Sequence, residues 1–238
     1  MNKLVSDSMK WVREFKQRLP SALPADVVVV PPFTLLNLIC SELQDYPISL
    51  GAQNVSSNSC GAFTGEISNH MLHDSGCRYV LIGHSERRNL YGETNSVINE
   101  KIKAALNLKV IFCLGESEEQ RRKGLTQDVV GIQLEQGLKG LTSQVVEGLA
   151  VAYEPVWAIG TGENASPEQA QEVHKFIRGE LTKIFNKEMA ERIRILYGGS
   201  VKSDISASLL AETDINGLLV GSASLNAEEF CAIIESAG

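Results

Sequence analysis

The run Leu149-Ala-Val-Ala-Tyr-Glu-Pro-Val-Trp-Ala-Ile-Gly-Thr-Gly162 combines a buried strand, a single carboxylate and a glycine-bounded apolar strip. Leu149 to Ala152 is continuously apolar, the pattern of a parallel strand covered on both faces. Such a strand delivers Glu154 at its C-terminal end. Pro155 follows, then Val156, Trp157, Ala158 and Ile159, and then Gly160-Thr161-Gly162. A carboxylate ahead of a short apolar strip between a proline and glycines reads as a general base under a movable lid. The lid excludes water, and its flanks absorb the hinge motion. The competing reading is a surface loop with a solvated Glu, a role for which Trp and Ile are poor choices.

Working outward, similar runs recur at Val27–Val30, Ile48–Ala52, Tyr79–Ile82, Lys109–Cys113, Arg194–Tyr197 and Gly217–Val220. Helical patterns lie between them. Ser166-Pro-Glu-Gln169 is a helix start with Ser at the N-cap, Pro at the first position and Gln at the third. Ala170, Val173, His174, Ile177, Leu181 and Ile184 then share one face. Asn226 starts a last helix bearing Phe230, Ile233 and Ile234. The tally is seven strands and eight helices, beginning with a helix whose apolar side is Val5, Met9, Val12, Phe15 and Leu19. A regular (β/α)8 barrel needs a strand before that helix, so the pattern is a barrel lacking its opening strand. A doubly wound open sheet also accommodates seven strands. No linker or shift in composition divides the chain, which reads as one domain over residues 1–238.

The 238 residues are 43% hydrophobic and 21% charged, ordinary globular composition with ample core. A net charge of -7 without a Lys/Arg run argues against nucleic acid. Five cysteines, an odd number with no C-x-x-C, point to reduced thiols and a cytoplasmic location. No apolar stretch approaches the ~20 residues of a membrane span.

In a barrel, chemistry collects where strands end. After Tyr79–Ile82 comes Gly83-His84-Ser85-Glu86-Arg87-Arg88, which makes His84 a candidate for acid–base or electrophilic work. Cys113, near the end of the next strand, reads as a packed core thiol with no cation beside it. The last two strands end in Tyr197-Gly-Gly-Ser-Val201 and Val220-Gly-Ser-Ala-Ser224. Paired turns of this kind, with Gly160, form a phosphate cradle of backbone N–H groups. His70 and His73 have the spacing of a metal pair, but no third ligand is in view. His174 reads as structural, far from the strand ends. No nucleotide or metal motif is present, so neither a metal nor another cofactor is expected.

The segments Gly61-Ala-Phe-Thr-Gly-Glu-Ile67, Ile82-Gly-His-Ser-Glu-Arg-Arg88, Ala152 to Gly162, Tyr197-Gly-Gly-Ser-Val201 and Leu219-Val-Gly-Ser-Ala-Ser-Leu225 resemble the triosephosphate isomerases, in that family's order and spacing. The resemblance implies a (β/α)8 barrel that interconverts dihydroxyacetone phosphate and glyceraldehyde 3-phosphate in glycolysis and gluconeogenesis, without a cofactor. It implies Glu154 as the base, His84 as the electrophile, Glu86 as support and residues 155–160 as the closing loop. Gly160, Ser200, Gly221 and Ser222 would hold the phosphate; at Ser222 the family usually has Gly. It also implies a homodimer with Thr64 and Glu66 near the interface, on the long polar segment from Gln53 to Glu66. The family's first strand carries Asn-x-Lys-Met-Asn, and this chain opens at the last two residues of that motif. The comparison therefore implies a shortened beginning without the motif's Lys. A second functional reading follows, a barrel that keeps phosphate binding but is catalytically impaired or inactive.

Overall fold

A computed structural model of the chain describes residues 1–155 and 165–238. Among them the sheet has seven strands: β1 Val27–Val29, β2 Ile48–Ala52, β3 Tyr79–Ile82, β4 Lys109–Leu114, β5 Leu149–Tyr153, β6 Arg194–Tyr197 and β7 Gly217–Leu218. They lie in sequence order and every neighbouring pair is parallel. A doubly wound sheet would reverse its strand order at a switch point, and none occurs here. The sheet also curls. Arg194, at the start of β6, places Nη1 2.6 Å from Asp26 Oδ2, just ahead of β1. The order and the curl are those of a (β/α)8 barrel.

The helices are α1 Val5–Arg18, α2 Leu36–Leu43, α3 Asn69–Asp74, α4 Ser85–Tyr91, α5 Asn95–Ala104, α6 Glu118–Arg122, α7 Thr126–Gly137, α8 Ser143–Glu147, α9 Pro167–Ile184, α10 Lys187–Arg192, α11 Ser203–Leu210 and α12 Ala227–Glu235. That is twelve α-helical segments among the described residues, where the sequence suggested eight. The excess consists of pieces of one or two turns, too short to show a period. The capping signal at Ser166 is realised in both directions: Ser166 Oγ accepts from Gln169 N at 3.2 Å, and Gln169 Oε1 accepts from Ser166 N at 3.1 Å.

α1 precedes β1 and closes against the other end of the chain. Trp11, Val12 and Phe15 are buried, and burying each contributes about 2 kcal/mol. Trp11 stacks on Phe15 at 4.7 Å, and Phe15 on Phe230 of α12 at 5.7 Å. Trp11 Nε1 donates to Ser224 O, beyond β7. The strands are covered on both faces. A large core cluster from Trp11 to Ile234 fills the space between sheet and helices. A small one, Leu81, Ile111, Cys113 and Ala152, faces the inside of the curl. This two-sided burial is why the strands read as continuous apolar runs.

Candidate active site

Three strand ends converge on Glu154. At β3, Gly83 turns the chain with φ 80°, a left-handed value that glycine adopts without strain. The turn sets His84 as the N-cap of α4, with Nδ1 accepting from Glu86 N at 3.3 Å. An accepting Nδ1 leaves the imidazole proton on Nε2, which stands 2.9 Å from Glu154 Oε1. At β5, the ladder continues one residue past the strand, Glu154 N donating to Leu114 O at 2.7 Å. After β6, Gly198 packs so closely that a Cβ there would lie 3.0 Å from Glu154 Cγ.

Glu154 is 1% exposed, and its other oxygen accepts from Ser85 N at 2.9 Å. His84 and Glu154 are thus in direct contact although 70 residues separate them. Burial pulls the His84 pKa down, but the hydrogen bond and charge of Glu154, followed by the charge of Glu86, lift it above the usual histidine value. Glu86 itself is an exposed side chain, with Oε2 4.0 Å from His84 Nδ1.

The glycine turn after β6 flanks this pair. A Cβ on Gly199 would meet Tyr197 Oη at 2.2 Å and Pro155 Cγ at 3.1 Å, so the turn at Ser200 tolerates no side chain one residue earlier. Beyond β7, Gly221 precedes a short 3-10 turn, Ser222–Leu225. Lys3 is the one described non-glycine residue with a positive φ, so Ser222 takes an ordinary backbone conformation without strain. Pro155 is buried against the site. Val156, Trp157, Ala158, Ile159 and Gly160, the remainder of the lid and the third cradle residue, lie outside the described residues. Thr64 and Glu66 are exposed on the segment after β2.

Several contributors were not singled out in the sequence. Ser85 holds the base directly. Arg88 reaches back to the end of β3, its Nε donating to Gly83 O at 2.7 Å, and its Nη2 donates to Cys113 O at 3.0 Å. A cation therefore stands beside Cys113, contrary to the expectation, although the thiol is buried as expected and burial pushes its pKa up. Glu116, fully buried after β4, accepts from Tyr153 Oη at 3.1 Å and from Thr126 Oγ1 at 3.3 Å. His174 is structural, but not remote. Its ring meets that of Tyr153, the residue before the base, edge-on at 5.9 Å, and burial pulls its pKa down to about 4. Position after a strand end was the available signal for Ser85, Arg88 and Glu116. His70 and His73 gain no third partner: among the described residues no group of three His, Cys, Asp or Glu could hold a metal. No described helix is long and apolar enough to cross a membrane.

Comparison with known proteins gives a match between residues 1–237 and the family model described as triosephosphate isomerase. The triosephosphate isomerase of Carboxydothermus hydrogenoformans is 49% identical over 237 residues, 99% of this chain and 94% of that protein. That of Chloroherpeton thalassium is 47% identical over 240 residues, 100% of this chain and 95% of its own. The expected shortening is not borne out, since the family match starts at residue 1 and the relatives are covered almost throughout.

Proposed function

This chain belongs to the triosephosphate isomerase family, and we infer that it interconverts dihydroxyacetone phosphate and D-glyceraldehyde 3-phosphate with Glu154 as the base and His84 as the electrophile. The observation that carries the assignment of roles is the 2.9 Å contact between His84 Nε2 and a 1% exposed Glu154 carboxylate, across the ends of β3 and β5.

The chemistry follows from those groups. The Glu154 carboxylate removes a proton from the carbon beside the substrate carbonyl. The C–H electron pair forms the C=C bond of an enediolate, and the carbonyl π pair moves onto oxygen. His84 Nε2–H stabilises that oxygen and relays a proton between the two oxygens, so that the former carbonyl oxygen becomes a hydroxyl and the adjacent hydroxyl loses its proton. As that second oxygen forms the new C=O, the C=C pair takes back the proton that Glu154 returns to the neighbouring carbon. A positioned base contributes roughly 10²–10⁴ in rate, and one preorganised oxyanion donor about 10²–10³. Both groups begin engaged, Glu154 with Ser85 N and His84, His84 with Glu154. A bound substrate competes for both. As Glu154 turns to the substrate carbon, it withdraws the interaction that raises the His84 pKa. The Glu86 N–H aimed at Nδ1 then favours the neutral ring, a donor that does not give up its proton prematurely.

The phosphate dianion sits on main-chain amides at Gly160, Ser200, Gly221 and Ser222, with Glu86 supporting the His84 turn. The lid, Pro155 to Ile159, encloses the enediolate, which in water would eliminate its phosphate. The chain acts as one domain over residues 1–238, in the cytoplasm, and without a cofactor. A coupled assay of triose phosphate interconversion tests this reading. Glu154→Asp, one methylene shorter, lowers kcat by about 10²-fold through misplacement of the base; an unchanged kcat removes Glu154 from the mechanism.

The protein is further proposed to be a homodimer, with Thr64 and Glu66 near the interface. Support comes from the exposed apolar surface close by, Phe63 at 45% and Met71 at 57% exposed. Light scattering then gives a dimer mass, and a monomer alone refutes the dimer.

A further inference from the structure

We propose that Arg88 is a positioning residue for the reaction, a guanidinium clamp that sets the separation of His84 and Glu154 without touching substrate; the proposal rests on the roles assigned above. Arg88 lies on the last turn of the short helix α4, which His84 caps, and its side chain folds back toward the strand ends. Nε donates to Gly83 O at 2.7 Å, the carbonyl immediately before His84. Nη2 donates to Cys113 O at 3.0 Å, and Nη1 to Asn95 Oδ1 at 2.7 Å. The guanidinium carbon stands 5.9 Å from the centre of the Phe112 ring, and Asn95 is held in turn by Gln136 at 3.0 Å.

The two carbonyls are what make this clamp specific. Gly83 O fixes the end of β3, from which His84 projects. Cys113 O belongs to β4, and the next residue, Leu114, offers the carbonyl that Glu154 N binds at 2.7 Å. One rigid planar cation therefore spans the strand that supplies the electrophile and the strand that orients the base. The glycine before His84 has no room to compensate: a Cβ there would stand 3.0 Å from Cys113 O and 3.1 Å from Arg88 Nη2. A lysine offers a point charge on a flexible stem, with no planar fork to span the two carbonyls.

A cavity of about 170 Å³ bounded by Arg88, Ser85, Leu114, Gly115, Gln133 and Glu154 lies beside the clamp. Removing the side chain enlarges that space and leaves an opening for a free guanidinium ion. Arg88→Lys is expected to keep the fold and KM while lowering kcat roughly 10-fold to 100-fold, the range for a displacement of up to an ångström. In Arg88→Ala, guanidinium chloride at tens of millimolar restores kcat at least 5-fold, whereas equal urea or sodium chloride does not. Proton NMR of 15N-histidine-labelled protein reads the pair without turnover. The downfield Nε2 proton of the His84–Glu154 bond is expected in the parent chain and lost or shifted in Arg88→Lys. That readout separates failure of the clamp from failure of the isomerase roles. An unshifted proton with unchanged kcat in Arg88→Lys overturns the proposal, as does guanidinium that raises the Tm of Arg88→Ala without raising kcat. If Arg88→Ala does not fold, Arg88→Lys decides alone.

Discussion

Gly115→Ala is expected to lower kcat by at least 10²-fold and to lower stability by about 1–3 kcal/mol, the ordinary range for forced overpacking. A Cβ at Gly115 would fall 1.9 Å from the carbonyl oxygen of Glu154 and 2.7 Å from its carbonyl carbon. Carbon and carbonyl oxygen approach to about 3.3 Å at closest, so one backbone must retreat by more than an ångström. Gly115 cannot supply the movement cheaply. Gln133 grips its peptide on both sides, Oε1 accepting from Gly115 N at 2.8 Å and Nε2 donating to Gly115 O at 3.1 Å. The movement therefore falls on Glu154, the base itself, and on the ladder bond to Leu114. Steady-state kinetics with a parallel urea unfolding curve check both parts. A kcat within 3-fold of the parent would show that the base is not held by the β4 turn.

The collision explains which parts of the molecule were legible in the sequence. The central strands were readable because they are buried on both faces, which leaves a continuous apolar run, whereas β1 and β7 are largely half-buried. The lid and the glycine turns were readable because they are contiguous. The contact between His84 and Glu154 is not contiguous, and only resemblance to a family brought the two residues together. Gly115 looked like any glycine at a strand end, since its constraint comes from a carbonyl 39 residues later in the chain. Arg88 carried no such signal, because nothing in an Arg-Arg pair tells which guanidinium turns inward. Short helices such as α6, α8 and α10 leave little trace in a periodic pattern for a different reason. At five or six residues, they owe their existence to caps and neighbours rather than to a periodic face.

The other Arg of that pair leads to the second large effect. Glu93→Gln is expected to cost 3–5 kcal/mol of stability at neutral pH, the usual result of removing one partner from a buried ion pair. Glu93 joins α4 to α5 and is 6% exposed at its side chain. Its Oε1 takes Arg87 Nε at 2.6 Å and Lys101 Nζ at 2.5 Å, and Lys101 also donates to Asn54 Oδ1 at 2.7 Å. Three segments meet there: the helix that His84 caps, its successor, and the start of the long segment bearing Thr64 and Glu66. Burial raises the Glu93 pKa, but the hydrogen bonds and charges of Lys101 and Arg87 lower it more, so the net shift is downward. A depressed carboxyl pKa gives stability that is present above the unfolded value and lost as pH falls through the folded one. The gap between Glu93→Gln and the parent should therefore narrow in acid. The amide offers no charge to Lys101, which is 8% exposed at its side chain, and its NH₂ would occupy the place of Oε2, which has no partner. Adding Lys101→Met removes the stranded cation and should return most of the loss, because an apolar replacement of a buried pair is often neutral. A single-variant cost below 1 kcal/mol in urea unfolding would mean that the ammonium finds water or another acceptor, and that this junction does not hold the α4 and α5 segments in register.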